Sequence, residues 1–409
     1  MKNRLLCLLV LASCFGCKKK SSAPSYNFDG TVVAYAPVSV TKSITKRVFA
    51  HLLPWFETPE SNTLDPGAWG YHWTMANENP NTIVNGQRQI ASWYYPSIGP
   101  YASGDTAVID YQLLLMKLSG IDGVFIDWPG TGTDAGQGTD LPMAKHNTDV
   151  IVSRLARVGL KYAIVYEDND LEYITNKIGQ AQTDMSYLKT NYFNDPDYEQ
   201  LSSEPLLLDF GPQQLTTAAD WDSAFSVLSS TPSFFTISGN AQAGGEAIGQ
   251  FAWVYQTGIP SLTSFYGNSY TGIKMSAAYA GYNSFYAQGG GSGPTWVITP
   301  TLSNFQQTVA LDLQQTNNNY IQLVTWNDYG EGTMIEPTVQ FGYNFLTTLQ
   351  QSLGVQSTLS QSDLEAVAQL YQLRQSNVGN PAALAKLNQG FYFMASLQMD
   401  SAQALLASF

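Results

Sequence analysis

Short β-rich apolar runs recur along the chain, separated by stretches with helical patterning. Candidate strands span Arg47 to Leu53, Gly123 to Ile126, Tyr162 to Tyr166, Leu206 to Asp209, Ser233 to Ile237, Gly249 to Val254, Thr295 to Thr299 and Tyr320 to Thr325. Several are unbroken apolar runs instead of alternating ones, as expected for a parallel strand covered on both faces. Between them, Thr106 to Ser119 predicts a helix capped by Asp105, and Asn147 to Val158 predicts another ended by Gly159. Strands alternating with helices at this spacing imply βαβ units, and they favour an α/β fold of the closed (β/α)8 TIM-barrel type over a doubly wound sheet. Beyond Glu336 the pattern is helical, with segments Phe341 to Leu353, Gln361 to Gln375 and Pro381 to Ser408. This predicts a barrel over residues 47–353 and a helical cap over 354–409.

The first residues follow a different pattern. Lys2 and Arg4 precede an apolar run from Leu5 to Ala12, and cysteines follow at 14 and 17. That is the layout of a secretory signal peptide, and it is shorter than the roughly 20 apolar residues a membrane-spanning helix needs. Leu11-Ala12-Ser13-Cys14 is similar to the bacterial lipobox, in which small residues admit the signal peptidase ahead of an acylated cysteine. Cys17, followed by three lysines, is the alternative attachment point, and an ordinary cleaved signal is the remaining reading. Several acyl chains on one cysteine hold a protein to a membrane far better than one chain does. The expectation is a lipoprotein signal over residues 1–17, a tether over 18–46 with a short strand at Thr31 to Tyr35, and an acylated protein held in the bacterial cell envelope. Cys7, Cys14 and Cys17 are the only cysteines, so the rest of the chain has no disulfide framework.

Composition narrows the function. Charged residues make up 12% of the chain and aromatics 13%, with a formal net charge of −13. A nucleic-acid binder needs a basic stripe, which this balance argues against; acidic polysaccharides are disfavoured for the same reason. The three histidines have no metal-ligand spacing. No metal or cofactor is therefore expected, and the chain is expected to act as a monomer.

In a (β/α)8 barrel, functional groups gather on loops after the C-terminal ends of the strands. Those positions hold His51 and Trp55, Asp127 and Trp128, Glu167 and Asp168, Asp209, Trp253 and Tyr255, and Asp328 and Glu331. Aromatic faces suit sugars, because C–H groups pack on a flat ring while hydroxyls stay free to hydrogen-bond. The segment Trp326-Asn327-Asp328-Tyr329-Gly330-Glu331-Gly332-Thr333-Met334-Ile335-Glu336-Pro337 places two carboxylates three residues apart in a glycine-containing loop. Glycoside cleavage needs a proton donor for the leaving oxygen and a second carboxylate that attacks, activates water or removes a neighbouring hydroxyl proton. Loop carboxylates that are merely solvated or capping are the structural alternative.

These residues carry a resemblance. Trp326-Asn327-Asp328-Tyr329-Gly330-Glu331 resembles the strand-eight motif of glycoside hydrolase family 71, whose members cut α-1,3-glucans. The continuation Glu331-Gly332-Thr333-Met334-Ile335-Glu336 resembles that of family 99, which cleaves internal α-mannosidic linkages. Upstream, Tyr95-Pro96-Ser97-Ile98-Gly99-Pro100-Tyr101, then Asp105, a helix, and a strand ending in Asp127-Trp128 are similar to family 99 in order and spacing. Pro54-Trp55 and Tyr71-His72-Trp73 resemble its early loops, so the likeness spans residues 47–340.

The resemblance implies an α-glycosidase that needs no metal, with Glu331 as general acid/base. Asp328 stands where family 99 has a glutamate that takes the proton of the sugar 2-hydroxyl. Aspartate is one methylene shorter, and the likeness to family 71 permits direct attack by water instead. Gly330 replaces a family 99 histidine. Glu167 matches an active-site glutamate of that family and is followed here by Asp168. Substrate-binding candidates are Glu167, Asp127, His51, His72, Trp55, Tyr95, Trp128, Trp253, Tyr255 and Trp326, while Glu336 is expected to be structural at the start of the last barrel helix. The expected function is hydrolysis of α-glycosidic bonds in a neutral glycan. A non-catalytic glycan-binding surface lipoprotein on the same fold is the alternative.

Overall fold

The computed structural model describes residues 28–132, 141–239, 245–316 and 318–409. Its centre is a sheet of eight parallel strands: β1 (Arg47–Leu52), β2 (Gly123–Trp128), β3 (Lys161–Tyr166), β4 (Glu204–Asp209), β5 (Ser233–Ile237), β6 (Gly249–Phe251), β7 (Ile273–Met275) and β8 (Tyr320–Leu323). The hydrogen-bonded order is β7-β6-β5-β4-β3-β2-β1-β8. Past β7 the chain bends back to β8: the Ala278 N–H donates to the Gln322 carbonyl (2.8 Å) and the Val324 N–H to the Ala278 carbonyl (2.9 Å). That bridge brings the sheet to a nearly closed (β/α)8 barrel.

Helices α1 (Thr106–Leu118), α2 (Leu141–Leu155), α3 (Lys177–Asn191), α4 (Ala218–Phe225), α5 (Ile259–Gly267), α6 (Leu302–Leu313) and α7 (Asn344–Leu353) cover the outside. Asp105 caps α1 by accepting from the Ala107 N–H at 2.7 Å. Helix α1 is apolar nearly all round because it is covered twice, by the barrel on one side and by α8 (Gln361–Ser376) and α9 (Pro381–Ala395) on the other. The core of the barrel and that of these C-terminal helices form one continuous apolar cluster.

Three expectations need correction. The seventh strand is Ile273–Met275, not Thr295 to Thr299, of which only Val297 and Ile298 pair, antiparallel, with Asn283 and Tyr282. No strand forms at Thr31 to Tyr35, because the Val33 N–H is taken by the Gln389 side chain (2.6 Å) and no second strand lies alongside. Residues 28–46 instead run extended across the C-terminal helices to the base of the barrel, where the Lys42 ammonium bonds the Gly120 carbonyl at 2.9 Å. Finally, Pro381 to Ser408 is two helices, α9 and α10 (Met399–Leu406), broken where Leu397 adopts φ 59°.

Two barrel glycines are required by packing. A Cβ on Gly123 of β2 would meet the Phe49 ring at 2.4 Å and the Lys161 carbonyl at 2.6 Å, and one on Gly249 would meet the Phe235 ring at 2.2 Å. At each, an aromatic ring of the neighbouring strand lies over the bare backbone. Gly123→Ala is therefore expected to destabilise the protein by about 1–3 kcal/mol, the usual cost of overpacking. Urea unfolding read by far-UV circular dichroism checks this, and an unchanged midpoint would contradict the packing.

Candidate active site

A cavity of about 540 Å³ opens at the C-terminal ends of the strands. Strand alternation decides what enters it. Register places Asp127 of β2 opposite Val165 of β3, and both line the cavity, whereas the next pair, Trp128 and Tyr166, points outward. The Trp128 ring lies 5.8 Å from that of Tyr187 on α3, and it is fully buried. His51 at the end of β1 faces inward, edge-on to Trp253 at 4.9 Å. Trp55, from the loop after β1, stacks flat on His72 with ring centroids 4.0 Å apart and planes 3° apart.

The loop after β8 is built by its own hydrogen bonds. The Asn327 amide accepts from the Leu53 N–H (2.9 Å) and donates to the Leu53 carbonyl (3.0 Å), fastening the loop to the end of the neighbouring strand β1. The Thr325 hydroxyl receives the Asp328 N–H at 2.8 Å, and Asp328 Oδ1 in turn accepts the Glu331 N–H at 2.8 Å. Gly332 turns the chain at φ 67°, where a Cβ would strike the Asn283 carbonyl at 2.7 Å. Glu336 lies beneath, fully buried, accepting from the Tyr101 and Tyr329 hydroxyls at 2.8 Å each and from the Gln112 amide at 2.8 Å. It is therefore a buried anchor well ahead of the last barrel helix, not its first turn.

Asp127, Glu167, Asp328 and Glu331 all line the cavity, with Asp170 beside them, and among the described residues no Lys or Arg does. Burial thus acts on these carboxyls without a neutralising cation. Glu331 is pushed up to about 8, by burial first and then by the charge of Asp328, against the opposing hydrogen bond from the Trp253 indole (3.2 Å). Asp328 is raised by burial only to about 6, because the N–H groups of Glu331 and Gly330 stabilise its anion. Asp127 is lifted by burial to about 7, with Asp328 adding to the rise and a hydrogen bond to Glu167 opposing it; Glu167 is held well above the carboxylate range by burial and then by Asp127. Burial lowers His51 to about 4, against the Gln322 side chain, and His72 to about 3, so both imidazoles are neutral at neutral pH. Among the described residues, no group of three or more His, Cys, Asp or Glu is placed to hold a metal ion.

His51, Trp55, His72, Asp127, Glu167, Trp253, Asp328 and Glu331 come together here. Trp128, Trp326, Tyr95 and Tyr255 do not line the cavity. Alternation turns Trp128 outward. Trp326 is fully buried in the barrel wall, its N–H donating to the His51 carbonyl at 2.7 Å. Tyr95 sits in a loop tied to Val339, whose N–H donates to its carbonyl at 2.9 Å. Tyr255 lies beyond the end of β6 and packs on a separate apolar cluster. Tyr71, Phe210, Gln213 and Tyr286 line the cavity and were not singled out from sequence. Tyr71 belongs to the motif Tyr71-His72-Trp73, but Tyr286 follows the seventh strand Ile273–Met275, which the sequence did not reveal, and carried no local signal. Cys14 and Cys17 lie outside the described residues.

No family model matches the chain. A stretch of 73 residues is 33% identical to glycoprotein endo-alpha-1,2-mannosidase of Xenopus laevis, covering 17% of this chain and 16% of that protein. The matched stretch thus spans about a sixth of that relative. The structure of the GH99 endo-alpha-mannosidase from Bacteroides thetaiotaomicron aligns over 75% of this chain and 98% of its own, with a TM-score of 0.57 and 15% identity. A structure described as a glycoside hydrolase-like protein aligns over 78% and 97%, with a TM-score of 0.53 and 12% identity. The shared feature is the barrel fold. Within that fold, the two carboxyls of one loop differ in environment, which is the arrangement that separates an acid from a base.

Stability should register the same burial. Glu331 has a folded pKa of about 8, above its ordinary value of 4.5, so its favourable contribution is complete below the ordinary value and is lost as pH rises through the folded one. Glu331→Gln carries no titrating proton and should gain stability relative to the unsubstituted protein between pH 5 and pH 8, with no further gain above. Urea unfolding across that range checks this; a pH-independent difference would contradict the raised pKa.

Proposed function

We propose that the protein is a glycoside hydrolase acting on α-linked glycans, with Glu331 as general acid and Asp328 as the second carboxylate. The observation that carries this reading is the pair itself: one loop brings both carboxyls into one cavity and pushes Glu331 to about 8 and Asp328 to about 6. Between those values Glu331 holds the proton that a departing glycosidic oxygen needs, while Asp328 is ionised and can receive one. The names of the aligned relatives, endo-alpha-mannosidases, support an α-linked substrate. Trp55, Trp253 and Tyr71 supply flat faces for sugar rings, and Asp127 and Glu167 supply donors and acceptors for hydroxyls. The absence of Lys and Arg from the lining, among the described residues, favours a neutral glycan.

Glu331→Gln keeps the shape of the acid but removes its proton. Turnover of ordinary glycans should fall about 10²-fold to 10⁴-fold, whereas a nitrophenyl or fluoride leaving group, which needs little protonation, should be partly spared. Asp328→Asn should give no such rescue. Near-normal activity in both variants would remove the loop from the chemistry. For the unsubstituted enzyme, kcat/KM should fall as pH rises through about 8, when Glu331 loses its proton, and as pH falls through about 6, when Asp328 gains one. A profile flat from pH 5 to 9 would contradict these roles. Product chromatography on α-mannan and α-1,3-glucan would identify the linkage.

We also propose that the protein is exported and acylated at Cys14, or alternatively at Cys17, in keeping with the lipobox-like Leu11-Ala12-Ser13-Cys14. Replacing both cysteines by serine should release it from the membrane fraction. An unmodified N-terminus beyond Lys18 in the mass spectrum of the unsubstituted protein would contradict the anchor.

A further inference from the structure

Six arginines occur in the whole sequence, and three of them, Arg154, Arg157 and Arg374, converge on one flank of the barrel. They come from separate parts of the chain: the last turn of α2, the turn after it, and the last turn of α8. All three bond a single buried carboxylate, Asp110 of α1. Arg154 alone satisfies much of that carboxylate, with contacts of 2.7, 2.7 and 3.0 Å. Arg157 reaches it at 3.2 and 3.4 Å, and Arg374 gives it one N–H at 2.7 Å while turning another to Asn388 at 3.0 Å. Three positive charges therefore meet one negative charge. Arg374 is nearly buried, and burial together with the two neighbouring guanidiniums holds it below the ordinary guanidinium range against the pull of Asp110.

The excess charge borders open space. The three arginines line a recess of about 390 Å³ together with Asn388 and the first turn of α1, at Thr106 and Ala107. The first turn of a helix of this length adds the positive end of its dipole, although the Ala107 N–H is already taken by the Asp105 carboxylate. Phe391 lies under the guanidiniums of Arg157 (4.2 Å) and Arg374 (5.5 Å), which limits their movement. Among the described residues Asp105 is the carboxylate on the rim of the recess, and it leaves the lining positive. No residue lines both this recess and the carboxyl-lined cavity.

We propose that this recess binds a tetrahedral dianion, a phosphate or sulfate group, at a site separate from the proposed active site. Planar guanidiniums from three directions suit the oxygens of such a group, and the net positive charge that remains after Asp110 and Asp105 attracts its negative charge. Joining α1, α2 and the C-terminal helices through one shared ion, the site couples anion binding to the docking of those helices.

Inorganic phosphate and sulfate, titrated at pH 8 against sodium chloride of equal ionic strength, should raise the melting temperature of the full chain saturably beyond the chloride effect. Arg157→Gln leaves Asp110 paired with two arginines and is expected to fold; it should weaken phosphate binding about tenfold, the loss expected for one charge-assisted hydrogen bond. Calorimetric titration of a hexose 6-phosphate beside the free hexose separates the two sources of the group. Binding of the ester with phosphate-like affinity would assign an esterified ligand, and binding of the inorganic ion alone would assign a free one. A melting response equal in phosphate and chloride, or equal phosphate affinity in Arg157→Gln and the unsubstituted protein, would reduce the cluster to an ionic tie between helices and overturn the proposal.

Discussion

The amide of Asn327 joins the chain after β8 to the end of β1, above the last paired residues of those two strands. By accepting from the Leu53 N–H and donating to its carbonyl, it takes the place of a backbone partner where the strand ladder has run out. One step below, the backbone N–H of Trp326 donates to the His51 carbonyl. Asp328 is the next residue, so its position relative to His51 and Trp55 on the neighbouring strand and its loop follows from this fastening. The same amide bonds the Tyr101 hydroxyl at 3.1 Å, which donates to Glu336, and Tyr329 donates to Glu336 from the other side. The polar groups beneath the loop are thus largely paired with one another, and a paired network of this kind is rigid where a half-paired one would be costly.

On that support the cavity is lined by five carboxyl side chains and, among the described residues, by no Lys or Arg, a combination that desolvation alone makes unfavourable. The chain relieves it by keeping some of them protonated at neutral pH. Which ones depends on hydrogen bonding and neighbouring charge: Asp328 receives two backbone N–H groups, whereas Glu331, stabilised by the Trp253 indole and the Tyr282 hydroxyl, also faces the charge of Asp328. The arginines that would neutralise such a site lie on the flank of the barrel instead. Charge is segregated within a chain that has little of it, with carboxyls in the cavity and guanidiniums in the recess beside α1. The large aromatic and apolar interior of the barrel supplies the stability that offsets these buried carboxyls.

Most of the strands were readable because a parallel strand covered on both faces is a continuous apolar run, and Gly123 to Trp128 and Lys161 to Tyr166 are buried almost throughout. Ile273–Met275 was not, since it is three residues long with Lys274 at its centre, and periodicity has nothing to measure over so short a span. Thr295 to Thr299 was the more strand-like string, yet the seam it was expected to fill is closed by the bend at Ala278. Tyr286 became invisible as a cavity residue for the same reason. Among the aromatics beside acids, Trp128 turns outward by simple alternation. Trp326 and Tyr255 lie past the ends of their strands, where alternation no longer tells which way a ring will face.

By itself, the sequence determined the alternation of strands and helices, the cap at Asp105, and the loop that puts Asp328 and Glu331 three residues apart, because these are set by neighbours along the chain. Only the tertiary structure decided how the seam closes, which rings reach the cavity, and which carboxyl keeps its proton. Burial and electrostatic field are properties of the groups a residue meets in space, and Leu53, Trp253 and Asp127 meet the Asn327 to Glu331 loop from far away in sequence.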